Sequence, residues 1–141
     1  MIVIFGQYNI KLEYRDKKKF VYDIVRKKWV VCTPEEEVRQ LWLHYLVYDK
    51  KISTSKIAVE KGFSINERMK RFDICTFNTS ATPHILIECK APNQKLDTKA
   101  IEQLSRYNLA LGAQIFIVTN GLKHSGMEIR DNKAYELTSI Y

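Results

Sequence analysis

A chain of 141 residues is long enough for one domain with a sizeable core, and 45% hydrophobic against 28% charged residues, with five Gly and three Pro, excludes a disordered or fibrous polypeptide. No apolar run approaches the ~20 residues a membrane helix needs, and Met1–Tyr14 has neither a basic n-region nor a small-residue cleavage site, so the expectation is a cytoplasmic protein with no membrane contact. A formal net charge of +7 favours a polyanionic partner, of which nucleic acid is the commonest.

In chain order, alternation puts Ile10, Leu12 and Tyr14 on one face of a first strand and Phe20, Tyr22 and Ile24 on one face of a second. Arg15–Lys19 is the polar turn of this hairpin, and a basic turn, Arg26–Lys28, precedes strand-like Trp29-Val30-Val31. Thr33 then caps a helix. Pro34 suits its first position, Glu35, Glu36 and Glu37 suit the positive end of its dipole, and Glu36 stands three residues after Thr33 as in a capping box. Val38, Leu41, Trp42, Tyr45 and Leu46 follow at helical spacing, and the helix should end near Tyr48 or Asp49. Glu35, seven residues before Trp42, is expected on that apolar face, pointing inward.

Lys50–Ser55 reads as a linker, Lys56–Glu60 as a short strand and residues 61–70 as a loop containing Gly62 and Asn66. Arg71–Asn78 and His84–Cys89 read as strands joined by a turn at Thr79–Pro83. A helix over Thr98–Leu111 aligns Ala100, Leu104, Tyr107 and Leu111, with Gly112 as its C-cap. Gln114–Thr119 is an apolar strand ended by Asn120-Gly121, and two weaker strands near Met127–Arg130 and Ala134–Thr138 flank a turn at Asp131-Asn132. The succession describes one domain, residues 1–141, of the α/β class: an αβββαβ core with a mixed central sheet, preceded by an N-terminal β-hairpin.

Cys32, Cys75 and Cys89 are widely spaced with no CxxC pair, which fits reduced thiols rather than a zinc site. No GxxxxGK(S/T) loop occurs, so nothing suggests a built-in ATPase. The chemistry-bearing stretch is His84–Lys90. Strand alternation places Ile85, Ile87 and Cys89 on one face and His84, Leu86, Glu88 and Lys90 on the other, so a carboxylate and an ammonium emerge together at the end of an apolar strand. In the preceding strand Phe72 and Ile74 face one way and Asp73 the other, and pairing of the two strands would bring Asp73 close to Glu88. Two adjacent carboxylates repel unless a cation lies between them, and oxygen ligands of this kind suit Mg²⁺. Lys56, Lys61, Lys70 and Arg71 flank the pair in sequence and suit phosphate contacts.

Asp73, with Glu88-Cys89-Lys90 beginning fifteen positions later, resembles the D…(D/E)xK signature of the PD-(D/E)XK phosphodiesterases, and Gln103–Tyr107 resembles the QxxxY motif of many of them. Five ordered blocks resemble the type I restriction enzyme R-subunit N-terminal family: Thr33–Glu36 with Val38-Arg39-Gln40, Lys70–Ile74, Ile87–Pro92, Gln103–Asn108, and Thr119-Asn120-Gly121. The resemblance covers roughly residues 20–125. Phe72 stands where the superfamily's name-giving proline would, and the helicase motor that usually follows such a domain is missing from this sequence.

The resemblance implies a restriction-endonuclease-like fold and Mg²⁺- or Mn²⁺-dependent endonuclease activity on DNA. It implies Asp73, Glu88 and the main-chain carbonyl of Cys89 as metal ligands, Lys90 acting on the attacking water or the developing charge, and Glu35 or Glu36 completing the site from the first helix. Gln103 and Tyr107, with Lys70 and Arg71, would contact the substrate. A separate motor or specificity protein, or a second copy in a homodimer, would be the partner. The competing expectation is a non-catalytic nucleic-acid-binding or regulatory module that retains the fold.

Overall fold

The computed structural model describes residues 1–140. Residues 1–11 run as an arm without strand pairing, so the first strand begins later than alternation suggested. Its apolar side chains Met1, Val3, Phe5 and Tyr8 pack against the core, with the Phe5 ring 5.5 Å from both Trp42 and Tyr45. β1 (Leu12–Arg15), β2 (Lys18–Asp23) and β3 (Lys28–Val31) then form a three-stranded antiparallel meander in that order. The β1–β2 hairpin closes on Asp16-Lys17, both at positive φ, the conformation whose twist matches that of paired strands.

Thr33 caps α1 (Pro34–His44), its hydroxyl accepting from the Glu36 N–H at 3.1 Å, with Pro34 opening the helix as expected. A π-helical turn, Tyr45–Asp49, carries the helix to the expected end, and a 3₁₀ turn at Thr54–Lys56 leads into the sheet. The remaining elements are β4 (Ile57–Val59), β5 (Gly62–Ile65), β6 (Arg68–Arg71), β7 (Ile74–Phe77), β8 (Pro83–Cys89), α2 (Thr98–Leu111), β9 (Ile115–Thr119), β10 (His124–Arg130) and β11 (Lys133–Glu136). Asp97 caps α2, and Gly112 at φ 71° ends it in the left-handed conformation.

Six strands form a central sheet in the order β11-β10-β9-β8-β7-β4. Every pairing in it is antiparallel except β8–β9, the parallel pair whose crossover is α2, so the sheet is mixed, as expected. Alternation along β8 divides the core into two layers. Ile85, Ile87 and Cys89 meet Val38, Trp42, Leu43 and Leu46 of α1 and its extension, while Leu86 joins Phe116, Val118 and Leu104 on the α2 side. Among the described residues no helix is long and apolar enough to cross a membrane, and no cysteine is paired.

Two local expectations are overturned. Residues 61–70 are a β-hairpin, β5–β6, closed by Asn66-Glu67 at positive φ, because Phe63 and Ile65 alternate with exposed Gly62 and Ser64. Phe72 and Ile74 lie in opposite core layers, since the chain breaks from strand geometry at Phe72-Asp73. The pairing nonetheless keeps count across the break: Val59 opposes Ile74, the Glu60 N–H donates to the Asp73 carbonyl, the Phe72 N–H to that of Lys61, and Gly62 opposes Arg71. Residues 57–76 are therefore one long hairpin, bent at Glu60 (φ 51°) and Asp73.

Candidate functional site

Asp73 sits at this bend, where its side chain is free of the strand ladder. One carboxylate oxygen accepts from the Cys89 main-chain N–H at 2.8 Å and the other from Arg39 Nη2 at 2.7 Å. The first bond ties Asp73 to the end of β8, and Glu88 lies beside it within hydrogen-bonding reach. Lys90 Nζ stands 3.4 Å from the Glu88 carboxylate. Asp73, Glu88 and Lys90 are thus brought together. Burial, then the charge of Asp73, pushes the Glu88 carboxyl from its ordinary 4.5 up to about 7, against the opposing pull of Lys90.

The Lys90 N–H donates to the Thr119 carbonyl on the β9 side, while the Cys89 N–H points to Asp73. In extended backbone the N–H and C=O of one residue leave by the same edge, so the Cys89 carbonyl is directed toward the acid pair, while its side chain is buried in the α1 layer.

Behind Asp73 lies a polar network that sequence reasoning missed. Arg39, 6% exposed at its side chain, pairs with Glu36 at 2.5 Å, Asp73 at 2.7 Å and Glu60 at 3.1 Å. Burial opposes its charge, but the hydrogen bond to Asp73 and the surrounding carboxylates outweigh it, and Arg39 is held above its usual range. Arg26, from the turn after β2, pairs with Asp23, Glu36 and Glu60. Gln40 Nε2 donates to Asp23 and Glu36, each at 2.9 Å. Four carboxylates against two guanidiniums leave the cluster with excess negative charge. The signal was the spacing Glu36, Arg39, Gln40, a polar stripe at i, i+3, i+4 on a helix otherwise read through its apolar residues.

The two helix glutamates separate. Glu35 is solvent-exposed, not inward-pointing: it lies in the first turn, before the helix reaches the core that Val38 and Trp42 enter. Glu36 is buried, but its carboxylate does not return to the helix start as a full capping box would. It is taken by Arg26, Arg39 and Gln40, and the Thr33 N–H donates to Val31 instead. Neither glutamate joins Asp73 and Glu88, and among the described residues no group of three or more His, Cys, Asp or Glu is placed to hold a metal.

On α2, Gln103 is exposed and its Nε2 donates to the Tyr107 hydroxyl at 2.8 Å. Lys70 Nζ lies 5.5 Å from the Tyr107 ring centroid, so Gln103, Tyr107 and Lys70 form one surface, while Arg71, the next residue of β6, is exposed on the opposite face. This surface reaches the site through stacked rings: Tyr107 meets Phe63 edge-on, and Phe63 stacks on Phe72, the neighbour of Asp73. The loop after Lys90 borders a cleft of about 430 Å³ with Lys95 and Lys123 in its walls, though neither Asp73 nor Glu88 lines it. Thr119 anchors the end of β9: its buried hydroxyl accepts from Trp42 Nε1 (3.0 Å) and the Gly121 N–H (3.0 Å) and bonds His124 Nδ1 (2.8 Å).

Compared with known proteins, the chain matches no curated sequence significantly. It does match the family described as the type I restriction enzyme R protein N terminus, over residues 34–140. The match starts at the first residue of α1 and runs beyond the five blocks quoted above, to the end of the described chain. The meander lies outside it, yet supplies Asp23 and Arg26 to the network. Matched over about three quarters of its length, the chain belongs to the type I restriction enzyme R protein N-terminal family.

Proposed function

We propose that this domain is a metal-dependent DNA endonuclease of the PD-(D/E)XK type. The observation that carries the reading is the adjacent pair Asp73–Glu88 with Lys90 beside it. A carboxyl raised to about 7 by burial and then by a neighbouring carboxylate, against the pull of Lys90, is the mark of a site that favours added positive charge. That fits Mg²⁺ or Mn²⁺, since Mg²⁺ commonly takes one or two carboxylates and completes its shell with water and substrate phosphate. Asp73, Glu88 and the Cys89 carbonyl would hold it, and Glu35 and Glu36 are left out. Bound there, the metal supplies Lewis-acid polarisation of the phosphate and a water of lowered pKa.

The chain's own residues do the rest. Arg39 and the Cys89 N–H fix the Asp73 carboxylate in one orientation. Lys90 places positive charge where the phosphorane becomes negative and orients the attacking water. Gln103, Tyr107 and Lys70 hold the DNA backbone from one surface, and Arg71 meets the DNA from the opposite face of β6. A separate motor or specificity protein fits the family's restriction-enzyme context, and cytoplasmic location and a homodimer belong to the same proposal.

The test is conversion of supercoiled plasmid to nicked and linear forms with Mg²⁺ or Mn²⁺, for the native chain, Lys90→Ala and Asp73→Asn. Metal-dependent cleavage lost in both variants supports the reading. No cleavage by the native chain, with salt-sensitive DNA binding retained, would replace it with the non-catalytic module.

A further inference from the structure

The outer half of the long hairpin, β5–β6, pairs only with itself and stands clear of the central sheet. A lone two-stranded ribbon is marginal in water, and this one is held at one face by Phe63 against Phe72 and Tyr107 and by Lys70 over the Tyr107 ring. Its other face carries Gly62, Ser64, Met69 and Arg71, all exposed, with Met69 at 71%. Small residues on one strand thus face long ones on the other. Arg68 is exposed near the tip, and Lys61 at the base. Lys61, Arg68, Lys70 and Arg71 outnumber the single acid of the ribbon, Glu67.

Resting on the nuclease reading, we propose that β5–β6 enters the major groove of duplex DNA, with the Met69–Arg71 face toward the bases and Lys61 and Arg68 on the flanking phosphates. The dimensions agree. Four residues of strand span about 13 Å, enough to cross a groove about 8.5 Å deep from a backbone seated at Asp73. Two strands about 4.8 Å apart with their side chains fit a groove about 12 Å wide and are too broad for one of about 6 Å. The bend at Glu60 and Asp73 makes the groove contact and the acid pair two ends of one element, so the ribbon sets which phosphodiester lies over Asp73 and Glu88. The basic side chains and the narrow exposed face of Gly62, Ser64, Met69 and Arg71 together select duplex DNA over an acidic protein, which would present no groove.

The experiment is fluorescence anisotropy in EDTA with three probes: a 30-base-pair duplex, one of its strands alone, and the same duplex with glucosylated hydroxymethylcytosine filling the major groove. The native chain is compared with Arg68→Ala/Arg71→Ala. Expected for the double variant are duplex binding at least tenfold weaker and a salt slope shallower by about one, for the phosphate contact of Arg68, with less than a threefold change for the single strand. The glucosylated duplex should bind the native chain at least tenfold more weakly than the plain one. Should the double variant melt early, Arg71→Ala alone reads the same quantities at an exposed position. Unchanged duplex affinity, or equal losses for duplex and single strand, overturns the groove contact while plasmid cleavage by the native chain leaves the nuclease standing. Absence of both binding and cleavage in the native chain removes both.

Discussion

Glu60 and Asp73 oppose each other across the bent hairpin, and the guanidinium of one residue, Arg39, bonds both carboxylates. Like charges in direct cross-strand opposition destabilise a strand pair, so the bend depends on the cation that separates them. Arg39→Met should cost about 3–5 kcal/mol in urea unfolding, because it strands Asp73 as a largely buried charge and leaves Glu36 only Arg26 and Gln40. Arg39→Lys should recover part of this, keeping the charge but not the two-pronged contact.

Glu88 gives a pH signature of defined sign. Its carboxyl is raised on folding from 4.5 to about 7, so the stabilisation it contributes is complete below pH 4.5 and lost as pH rises to about 7. Without metal, the melting temperature of the native chain relative to Glu88→Gln should fall across that interval and level off above it. Mg²⁺ affinity measured by calorimetry should rise over the same range, since the ion competes with a proton for the acid pair.

Thr119→Val keeps side-chain volume but removes the hydroxyl shared by Trp42, Gly121 and His124. With the Trp42 N–H left in a dry interior, about 2–4 kcal/mol of stability should be lost in equilibrium unfolding. Thr119→Ser, which restores the oxygen, should lose less than half of that.

Gly121 adopts φ 85°, and an added Cβ would lie 3.2 Å from Val38 Cγ2 on α1. Gly121→Ala should therefore destabilise by about 1–2 kcal/mol from backbone strain plus the clash. In a double-mutant cycle, Val38→Ala should relieve only the steric share, so a favourable coupling energy with strain remaining is the expected result.

The sheet and both helices were legible in the sequence because each rests on local signals. Thr33-Pro34 and Gly112 mark helix ends, and alternation along His84–Cys89 assigns the two core layers correctly. The placement of Asp73 beside Glu88 followed from strand pairing alone. What could not be read depends on contacts distant in sequence. Arg26 and Glu60 are 34 residues apart, as are Arg39 and Asp73, and no period links them. Glu35 misleads because heptad spacing gives direction around a helix but not what packs against it there, and in the first turn it is Glu36 that the Arg26–Arg39 network buries while Glu35 stays exposed. The ribbon reads as a loop in the sequence because its strands are four residues each and β6, Arg68–Arg71, carries basic residues on both faces and so no alternation.

Trp42 and Trp29 occupy opposite extremes of environment. Trp42 is wholly enclosed between the arm, α1 and β9, and Trp29 lies part-exposed on the meander, 5.5 Å from Tyr22 and below the Arg15 guanidinium. The molecule thus carries two built-in fluorophores with separable emission, one blue-shifted and dry, the other wetter and red-shifted. Trp29→Phe leaves an emitter that reports closure of the central layers alone, and Trp42→Phe one that follows the segment outside the family match. Stopped-flow traces of the pair can time whether the meander docks before or after the family-matched body of the domain has formed.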